Sequence, residues 1–354
     1  MPHPHLSDQV PRWQQAPFRK PGGRAREDDL VVLRPEGLYC PAGDFHIDPW
    51  LPVPRAVITH GHGDHARVGM GGYIATPQSL PLLRWRLGEQ PYVAREYDEA
   101  FRLGGATVSL HPAGHVLGSA QVRIEAGGET WVVSGDYKRQ PDLTCAPFEV
   151  VPCDVFITEA TFGLPVYRWP DTRDVARGIL EWRDHCAARG ETAILYCYAL
   201  GKAQRLLAEL GALDDRPVWL HGGIAAGVEV YRGAGVDLPA TRLVSDGPRE
   251  GFAGELVMAP PLAAGSPWLR RFRRAQQGFA SGWMQIRGNR RRRNFDRGFV
   301  VSDHADWPGL LRTVRETGAR RVIATHGNTD ALVRALNEAG IAAEAFRTDF
   351  GAEE

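Results

Sequence analysis

Four residues whose side chains commonly bind metal ions lie within six positions of the chain: His60, His62, Asp64 and His65. The run before them, Ala56–Thr59, is largely apolar and predicts a buried strand. Alternate residues of a strand share a face, so His60 and His62 come together if the strand continues. Asp64 and His65 then follow on a turn or on the first residues of a helix and point elsewhere. Two pairs of ligands aimed in two directions favour two metal ions over one.

Five later histidine and acidic residues have the same local context, because each follows an apolar strand or turn. They are His115, Asp136, Glu159, His304 and His326. Ligand residues at the ends of successive strands are what a metal site at the edge of a sheet requires. Neutral imidazoles and carboxylates suit zinc or manganese. Two such ions can activate water and neutralise the charge that develops on a phosphate during its displacement.

The pattern leaves two assignments open: which aspartate follows the strand near Phe45, and what Glu159 does. Asp48 ends the alternating run Phe45–Pro49 and is the candidate for an acidic residue that follows a strand beside the site. Asp44 lies close to it in the sequence and is the alternative. His304 is the candidate proton donor to a leaving oxygen, with Glu159 orienting it and favouring its protonated form. The alternative for Glu159 is an ordinary surface carboxylate at a strand end. A single histidine after a strand is also more often structural than a ligand.

The candidate ligands lie far apart in the sequence, so a metal site requires a fold that brings their segments together. Residues 30–160 alternate between short strands and glycine-rich turns, which predicts a sheet-rich layer with the site along one edge. From about Gly163 helices and strands alternate, which predicts a separate α/β unit with a parallel sheet. Two further strand–helix pairs are predicted after it, at Gly298–Ser302 with Trp307–Thr317 and at Arg321–Thr325 with Asp330–Ala339.

The composition bounds the class of protein. With 354 residues, 43% of them hydrophobic and 24% charged, the chain is typical of a soluble globular protein with a sizeable core. It has no apolar run of about 18 residues, so no membrane partner is expected. Residues 1–27 lack an apolar signal core and are expected to form an N-terminal arm. Five scattered cysteines without a CxxC pair indicate a cytoplasmic protein without a cysteine-ligated zinc.

A basic stretch precedes His304 in the sequence. Ten arginines lie between Arg270 and Arg297, with aromatic residues among them and Asp296 as the only acid, although the formal net charge of the whole chain is zero. Arginine forks fit phosphate oxygens and aromatic rings stack on unpaired bases, so nucleic-acid contact is expected here, with a solvated basic loop as the alternative. Lys202 begins a helix after a strand, where a helix N-terminus can bind phosphate. The expected substrate-binding residues are Lys202, Trp283, Arg287, Arg290, Arg291, Arg292 and Arg293.

The whole set of motifs resembles a known family. HxHxDH with the later His, Asp and His is similar to the metallo-β-lactamase superfamily. The elements AGHVLGSA, ITEATFG, VSDHAD and ATHGN resemble its β-CASP nuclease branch. That branch includes cross-link repair nucleases, ribonuclease J and the nuclease of messenger-RNA 3′-end processing. The overall pattern resembles most the bacterial ligase-associated DNA exonucleases, and the resemblance runs from about Leu30 to the C-terminus.

The resemblance implies the fold and the metal ligands. It implies an α/β fold: a metallo-β-lactamase αββα sandwich formed by residues 28–165 and 300–354, with a β-CASP domain inserted at residues 166–299. It implies two divalent ions, zinc or alternatively manganese, with two sets of ligands: His60, His62 and His115 for one, and Asp64, His65 and His326 for the other. Asp136 is then the bridging ligand, and Asp48 orients the site by hydrogen bonds.

The implied function is two-metal hydrolysis of phosphodiester bonds. The favoured interpretation is a DNA exonuclease in DNA repair that acts on single-stranded DNA, in association with a DNA ligase or helicase. A ribonuclease in RNA 3′-end processing or turnover is the alternative, because members of the branch that act on RNA tend to carry histidine at the position of His326. A small-molecule hydrolase of thioesterase or lactamase type would need neither the inserted unit nor the arginines. A non-catalytic binding subunit would be expected to have lost ligands, and here all are present.

Overall fold

The computed structural model describes residues 29–248, 251–286, 288 and 295–346. Within these ranges the chain forms 19 strands in three sheets and six α-helices. The expected N-terminal arm at residues 1–27 lies outside the described residues, and so do five members of the expected substrate-binding set: Arg287, Arg290, Arg291, Arg292 and Arg293. None of the helices in the described ranges is long and apolar enough to cross a membrane.

The first sheet holds the six N-terminal strands in chain order. They are β1 (Val32–Arg34), β2 (Gly37–Cys40), β3 (Phe45–Ile47), β4 (Ala56–Val57), β5 (Tyr73–Ala75) and β6 (Tyr92–Ala94). Strands β1 to β3 pair antiparallel, and β3 to β6 pair parallel. The central strand β4 leads directly into the segment that carries His60, so this sheet determines where that segment begins.

The second sheet has seven strands in the order β19-β18-β11-β10-β9-β8-β7. They are β7 (Phe101–Leu103), β8 (Ala106–Pro112), β9 (Ala120–Ala126), β10 (Glu129–Val133), β11 (Val155–Ala160), β18 (Arg321–Gly327) and β19 (Ala342–Ala345). Strands β10, β11, β18 and β19 are parallel neighbours. Their carboxyl ends therefore lie along one edge of the sheet, which is where Asp136, Glu159 and His326 occur.

The two sheets pack face to face, and helices cover their outer faces. Successive residues of a strand point to opposite sides of a sheet. In β10, Trp131 and Val133 join the core between the sheets, whereas Val132 joins the core beneath the helices. Three helices form the outer layers: α1 (Leu80–Leu87) on the first sheet, and α5 (Trp307–Thr317) and α6 (Thr329–Glu338) on the second. The layers therefore run helix, sheet, sheet, helix.

The predicted α/β unit is present and has a sheet of its own. The third sheet is parallel throughout, in the order β14-β13-β15-β12-β16-β17. Its strands are β12 (Thr192–Tyr196), β13 (Val218–Leu220), β14 (Thr241–Leu243), β15 (Leu256–Ala259), β16 (Ala275–Ala280) and β17 (Arg297–Phe299). Helices α2 (Thr172–Ala188), α3 (Lys202–Gly211) and α4 (Gly222–Gly233) pack on one face. The prediction of a parallel α/β unit is confirmed, while the domain boundaries at 166 and 299 stay predictions.

Two predicted strands end earlier than expected. The strand predicted over Gly298–Ser302 is observed as β17 and stops at Phe299, because its partner β16 ends at Ala280 and leaves no neighbour to pair with. The strand predicted over Ala56–Thr59 stops at Val57 and does not continue through the histidines. The helix predicted over Trp307–Thr317 is observed with those bounds.

Candidate metal centre

The segment from His60 to His65 is a turn rather than the continuation of a strand. The amides of His65 and Ala66 both donate to the carbonyl of His62, at 3.3 and 2.9 Å, which closes the turn. The ring centroid of His60 lies 4.1 Å from that of His65 and 4.9 Å from that of His62. The expectation that the two ligand pairs serve two sites stays a prediction, because His60 and His62 belong to one group of neighbouring candidate ligands and His65 belongs to another.

Distant segments deliver further side chains to the same region. Asp136 follows β10, and Glu159 and His326 lie near the ends of the parallel strands β11 and β18. His115 lies in the loop between β8 and β9, where its amide donates to Ser119 Oγ at 3.0 Å. Candidate ligand atoms within 4.8 Å of one another form three groups that share one carboxylate: His60, His62, His115 and Asp136; His65, Asp136 and His326; Asp136, Glu159 and His304.

The shared carboxylate belongs to Asp136, whose side chain is 5% exposed. Its Oδ1 accepts from His326 Nε2 at 2.9 Å. Its Oδ2 lies 3.4 Å from His65 Nε2, 3.6 Å from His60 Nε2 and 3.8 Å from His115 Nε2. Burial raises the pKa of Asp136, but the surrounding histidines, His65 foremost, outweigh burial and hold that pKa well below its usual value. The centre of the site is therefore an ionised carboxylate surrounded by imidazoles.

Backbone carbonyls determine the tautomers of His62 and His115. His62 Nε2 donates to Leu200 O at 3.3 Å, and His115 Nδ1 donates to Asp303 O at 2.9 Å. Since a carbonyl only accepts, the protons are assigned to these outer nitrogens. The inner nitrogens, Nδ1 of His62 and Nε2 of His115, then carry lone pairs only 3.0 Å apart. Two lone pairs at this distance repel each other unless a proton or a metal ion lies between them. Burial lowers the pKa of both rings and so disfavours the extra proton, and the arrangement therefore fits a metal ion.

Asp48 determines the orientation of the other two histidines of the turn. Its Oδ2 accepts from His65 Nδ1 at 2.7 Å and from Thr59 Oγ1 at 2.5 Å, and its Oδ1 accepts from Thr59 N at 2.7 Å. Because the Thr59 hydroxyl gives its proton to Asp48, it accepts from His60 Nδ1 at 3.0 Å. His60 Nε2 then faces the centre, where it is buried and has no hydrogen-bond partner among the described residues. Asp44 is exposed and accepts from a tyrosine hydroxyl instead, so the acidic residue in contact with the cluster is Asp48.

The electrostatics match this geometry. Burial lowers the pKa values of His60 and His115 well below 6.5, and neighbouring imidazoles lower them further. Burial also lowers the pKa of His62. At His65 burial acts in the same direction, but the nearby carboxylates, Asp64 first, outweigh it and hold the pKa well above its usual value. The neutral imidazole nitrogens of His60, His62 and His115 together with carboxylate oxygens form a donor set suited to zinc or manganese.

Asp64 lies beside these groups. Its side chain is 10% exposed, and its Oδ2 is 3.5 Å from His65 Nε2. In the part of the chain that the structure describes, it belongs to none of the groups whose ligand atoms lie within 4.8 Å of one another. Asp64 is therefore next to His65, as expected, but its carboxylate is farther from His326 than a shared site would require in this conformation.

His304 and Glu159 form a buried pair on another side of Asp136. His304 Nδ1 donates to Glu159 Oε2 at 2.8 Å, and the other oxygen of Glu159 accepts from Tyr137 N at 2.8 Å. Glu159 is 1% exposed, so the alternative of an ordinary surface carboxylate is wrong. With Nδ1 donating to Glu159, the opposite nitrogen of the His304 ring is the one that can exchange a proton with a substrate.

Aromatic rings cluster next to His304. The ring of the buried Phe162 lies 5.9 Å from the His304 ring, 4.7 Å from Trp169 and 5.0 Å from Trp283. Trp169 Nε1 donates to His304 O at 2.8 Å. Both tryptophans are half-buried, so each keeps an accessible surface. Trp283, an expected substrate-binding residue, therefore belongs to the same aromatic cluster as the residues that contact His304.

Lys202, another expected substrate-binding residue, lies in the interior. Its side chain is fully buried, with Nζ 3.9 Å from Asp303 Oδ2 and 5.1 Å from the centroid of the Tyr198 ring. A side chain with no accessible surface meets no phosphate in this conformation, so its position does not support the expected contact with substrate. Instead, Lys202 contacts the residue that precedes His304.

Sequence reasoning missed the residues that fix the imidazoles. Thr59 and Asp303 are adjacent to His60 and His304, and this adjacency was the only signal that could have identified them. The carbonyl of Leu200 has no signal in the sequence, because any residue supplies a carbonyl. The contact between His62 and Leu200 follows from how the third sheet's unit packs on the first two sheets.

Comparisons with known proteins give relatives but no matching family model. The chain is 30% identical over 321 residues to a probable DNA ligase of Opitutus terrae, which covers 88% of this chain and 31% of that protein. It is 32% identical over 185 residues to endoribonuclease YSH1 of Gibberella zeae, covering 46% of this chain and 22% of that protein. It is 26% identical over 216 residues to a ribonuclease of Thermus thermophilus, covering 52% and 49%. The chain thus spans between about a fifth and a half of the length of these relatives.

One solved structure supports the fold. A protein of unknown function from Enterococcus faecalis is similar with a TM-score of 0.55 at 11% sequence identity. The similarity covers 84% of this chain and 79% of that one. At this level of identity the likeness concerns the fold alone.

Proposed function

Because the chain belongs to the β-CASP branch of the metallo-β-lactamase superfamily, we propose that it is a metal-dependent nuclease that hydrolyses phosphodiester bonds. We propose further that it degrades single-stranded DNA as an exonuclease in DNA repair. The observation that carries the proposal is the convergence of His60, His62, His65, His115 and His326 on the carboxylate of Asp136. Metal-free enzymes and simple binding modules have no use for five imidazoles around one buried carboxylate.

In this proposal two divalent cations, zinc or alternatively manganese, occupy the site. One would be held by His60, His62 and His115, and the other by His65 and His326 together with Asp64, whose carboxylate would have to move towards His326 from its position in this structure. Asp136 would be the ligand common to both ions. Such a pair of ions supplies an activated water and neutralises charge on the phosphate. The helix–sheet–sheet–helix layers then belong to a metallo-β-lactamase domain, for which we propose the bounds 28–165 and 300–354, and the third sheet belongs to an inserted β-CASP domain with the proposed bounds 166–299.

The protein's own residues move the proton and position the substrate. His304 protonates the departing 3′ oxygen, so the phosphate stays on the 5′ side, and Glu159 holds the ring through Nδ1. Asp48 orients His65 directly and His60 through the Thr59 hydroxyl. Both actions need a rigid interior, which the burial of Asp48 and Glu159 provides.

Substrate binding is proposed for the aromatic cluster and for the arginines that follow Trp283 in the sequence. Trp283, half-buried near His304, offers a face on which an unpaired base can stack. Arg287 and Arg290 to Arg293, outside the described residues, are proposed to bind phosphates. The stacking contact favours a single strand over a duplex, because it needs bases that are not paired, whereas contacts with phosphates are possible in both.

The choice of DNA rests on the relative named as a probable DNA ligase, which also supports association with a ligase in repair. Relatives named endoribonuclease and ribonuclease support a second candidate, cleavage of RNA by the same site. His326 occupies the position at which RNA-acting members of the branch tend to carry histidine. A small-molecule hydrolase of thioesterase or lactamase type is the third candidate.

The test compares end-labelled single-stranded DNA and RNA of one sequence with the protein in Mn²⁺ or Zn²⁺. We expect DNA to be shortened progressively from one end, no cleavage in EDTA, and no cleavage by Asp136→Asn. Asp237→Asn, which changes an exposed carboxylate of the third sheet's unit, serves as the control and stays active. Faster cleavage of RNA selects the second candidate, and turnover of a thioester or β-lactam run alongside selects the third. A metal-loaded protein that cleaves neither nucleic acid overturns the proposal.

A further inference from the structure

Four buried charged residues lie directly behind His62 and His115, where the third sheet's unit meets the site. Lys202 and Arg205 belong to α3, Asp142 follows Asp136 by six positions, and Asp303 immediately precedes His304. Their side chains are between 0% and 4% exposed. We call these four residues the buried charge cluster. Within the cluster two cations face two carboxylates, and a further buried cation, Lys138, lies beside them with its ammonium donating to the carbonyl of Ser302.

Arg205 is the centre of the buried charge cluster. Its Nη2 lies 2.6 Å from Asp142 Oδ2, and its Nε lies 3.6 Å from Asp303 Oδ1. Asp303 Oδ2 is 3.9 Å from the ammonium of Lys202. The second oxygen of Asp142 accepts from both the amide and the hydroxyl of Thr144, at 2.8 Å each. One guanidinium on α3 therefore joins the loop after Asp136 to the loop before His304.

The same guanidinium contacts the backbone carbonyls on both sides of the His115 Cα atom. Arg205 Nη2 donates to Gly114 O at 3.3 Å and to His115 O at 3.5 Å. The ring of His115 donates through Nδ1 to the carbonyl of Asp303, the residue whose carboxylate Arg205 faces. His62 has its outer nitrogen on the carbonyl of Leu200, in the turn that leads into α3. The outer nitrogens of both imidazoles thus rest on segments that Arg205 or its helix holds.

Stability of α3 does not account for these charges. Lys202 and Arg205 lie in the first turn and a half of the helix, where the positive end of the helix dipole disfavours cations. A buried ion pair also contributes little net stability, because removing two charges from water costs about as much as their attraction returns. What such a pair does supply is a fixed geometry, since either partner alone would be an uncompensated buried charge.

We propose that Arg205 is a positioning residue through which the third sheet's unit holds His115 and His62 with their inner nitrogens towards the cation. This inference rests on the proposed metal centre and adds a task for the inserted unit, which aligns ligands supplied by the other two sheets. Asp142 and Asp303 transmit the effect of Arg205, and neither they nor Arg205 touches substrate in this proposal.

The test uses Arg205→Met, which removes the charge and keeps most of the aliphatic length, and Arg205→Lys, which restores a charge without the planar fork. Arg183→Met is the matched control. Arg183 is 4% exposed, lies on α2 of the same unit, and has Nη2 2.9 Å from Asp214 Oδ2 and 3.1 Å from Asp184 Oδ1. The two arginines are therefore alike in their own burial and in facing two carboxylates each, although the partners of Arg183 are more exposed, and of the two only Arg205 contacts a candidate ligand.

The first readout is zinc affinity, measured by competition with a chromophoric chelator. Arg205→Met is expected to weaken one of two zinc equivalents by about 10- to 100-fold, the size of effect seen when the partner of a ligand is removed. Arg205→Lys recovers part of this affinity, and Arg183→Met lowers the unfolding temperature without changing either affinity. Arg205→Met with two wild-type zinc affinities, or Arg183→Met with an equally weakened one, overturns the proposal.

The second readout is the tautomer of His115 in the metal-free protein, from long-range ¹H–¹⁵N NMR of the imidazoles. The wild type is expected to carry the proton on Nδ1, and Arg205→Met to lose this preference. If Arg205→Met does not fold, Asp142→Asn replaces it in both measurements with the same expected direction. A wild type that binds zinc and shows the tautomer but cleaves no nucleic acid refutes the proposed nuclease while leaving this inference standing. An unchanged tautomer in Arg205→Met refutes the inference whatever the activity.

Discussion

Replacing Asp48 with asparagine is the sharpest test of the candidate metal centre. Asp48 is 2% exposed and has a φ of 43°, a left-handed conformation that asparagine tolerates, so the change adds little backbone strain. Its amide oxygen can still accept from Thr59 N, and the Thr59 hydroxyl can rotate, but an NH₂ group then faces the Nδ1–H of His65. The change removes one hydrogen bond to a charged acceptor, worth about 1.5–3 kcal/mol. If that energy orients His65, zinc affinity falls by about 10- to 150-fold.

The assay is competition for zinc at neutral pH, combined with thermal unfolding in EDTA to separate folding from metal binding. Asp44→Asn is the matched control, because Asp44 lies four positions earlier, has a φ of 51° and is exposed. We expect Asp48→Asn to weaken one zinc equivalent and to lower the unfolding temperature in EDTA by a few degrees at most. Asp44→Asn should match the wild type in both measurements. Wild-type zinc affinity in Asp48→Asn, or weakened binding in Asp44→Asn, would refute the assignment of the orienting carboxylate.

Three further predictions concern the proposed reaction. His304→Gln should slow cleavage by about 10²- to 10⁴-fold while two metal equivalents stay bound; loss of a metal would show that His304 is a ligand instead. Trp283→Ala should weaken binding of single-stranded DNA by about 1–3 kcal/mol, whereas Trp268→Ala, which removes another half-buried tryptophan of the same unit, should leave it unchanged; equal effects would remove Trp283 from the substrate path. Neutralising Arg290 to Arg293 should weaken binding of single-stranded DNA. It should also reduce the slope of log binding constant against log salt concentration by about 0.7 for each phosphate that these arginines neutralise. An unchanged slope would show that these arginines do not bind phosphate.

Much of the scaffold could be predicted because its signals are local. Trp307–Thr317 has the apolar spacing, the N-cap Asp306 and the C-terminal Gly318 of a helix, and α5 has those bounds. The alternation of strands and helices after Gly163 predicts a parallel sheet, which the third sheet confirms. Short strands such as β5 and β14 are not predicted from the sequence, because three residues are too few to show an alternating pattern. Their extended conformation depends on pairing with neighbouring strands.

The sequence by itself determined the types of the candidate ligands and their positions after strands, because both depend on residues only a few positions apart. It left Asp44 as an alternative to Asp48 and a surface carboxylate as an alternative role for Glu159, and it offered Lys202 as a phosphate contact. Only the tertiary structure separated these cases, by burying Asp48 against His65 and Glu159 against His304.

The tertiary structure also decided which nitrogen of each imidazole faces the centre. The outer nitrogen of His115 donates to Asp303, 188 positions away, and that of His62 to Leu200, 138 positions away. Contacts between residues so far apart in the sequence arise from the order of parallel strands and from the packing of α3 against two loops. Spacing along the chain contains no information about either, because both depend on how separate hydrophobic faces meet when the sheets assemble.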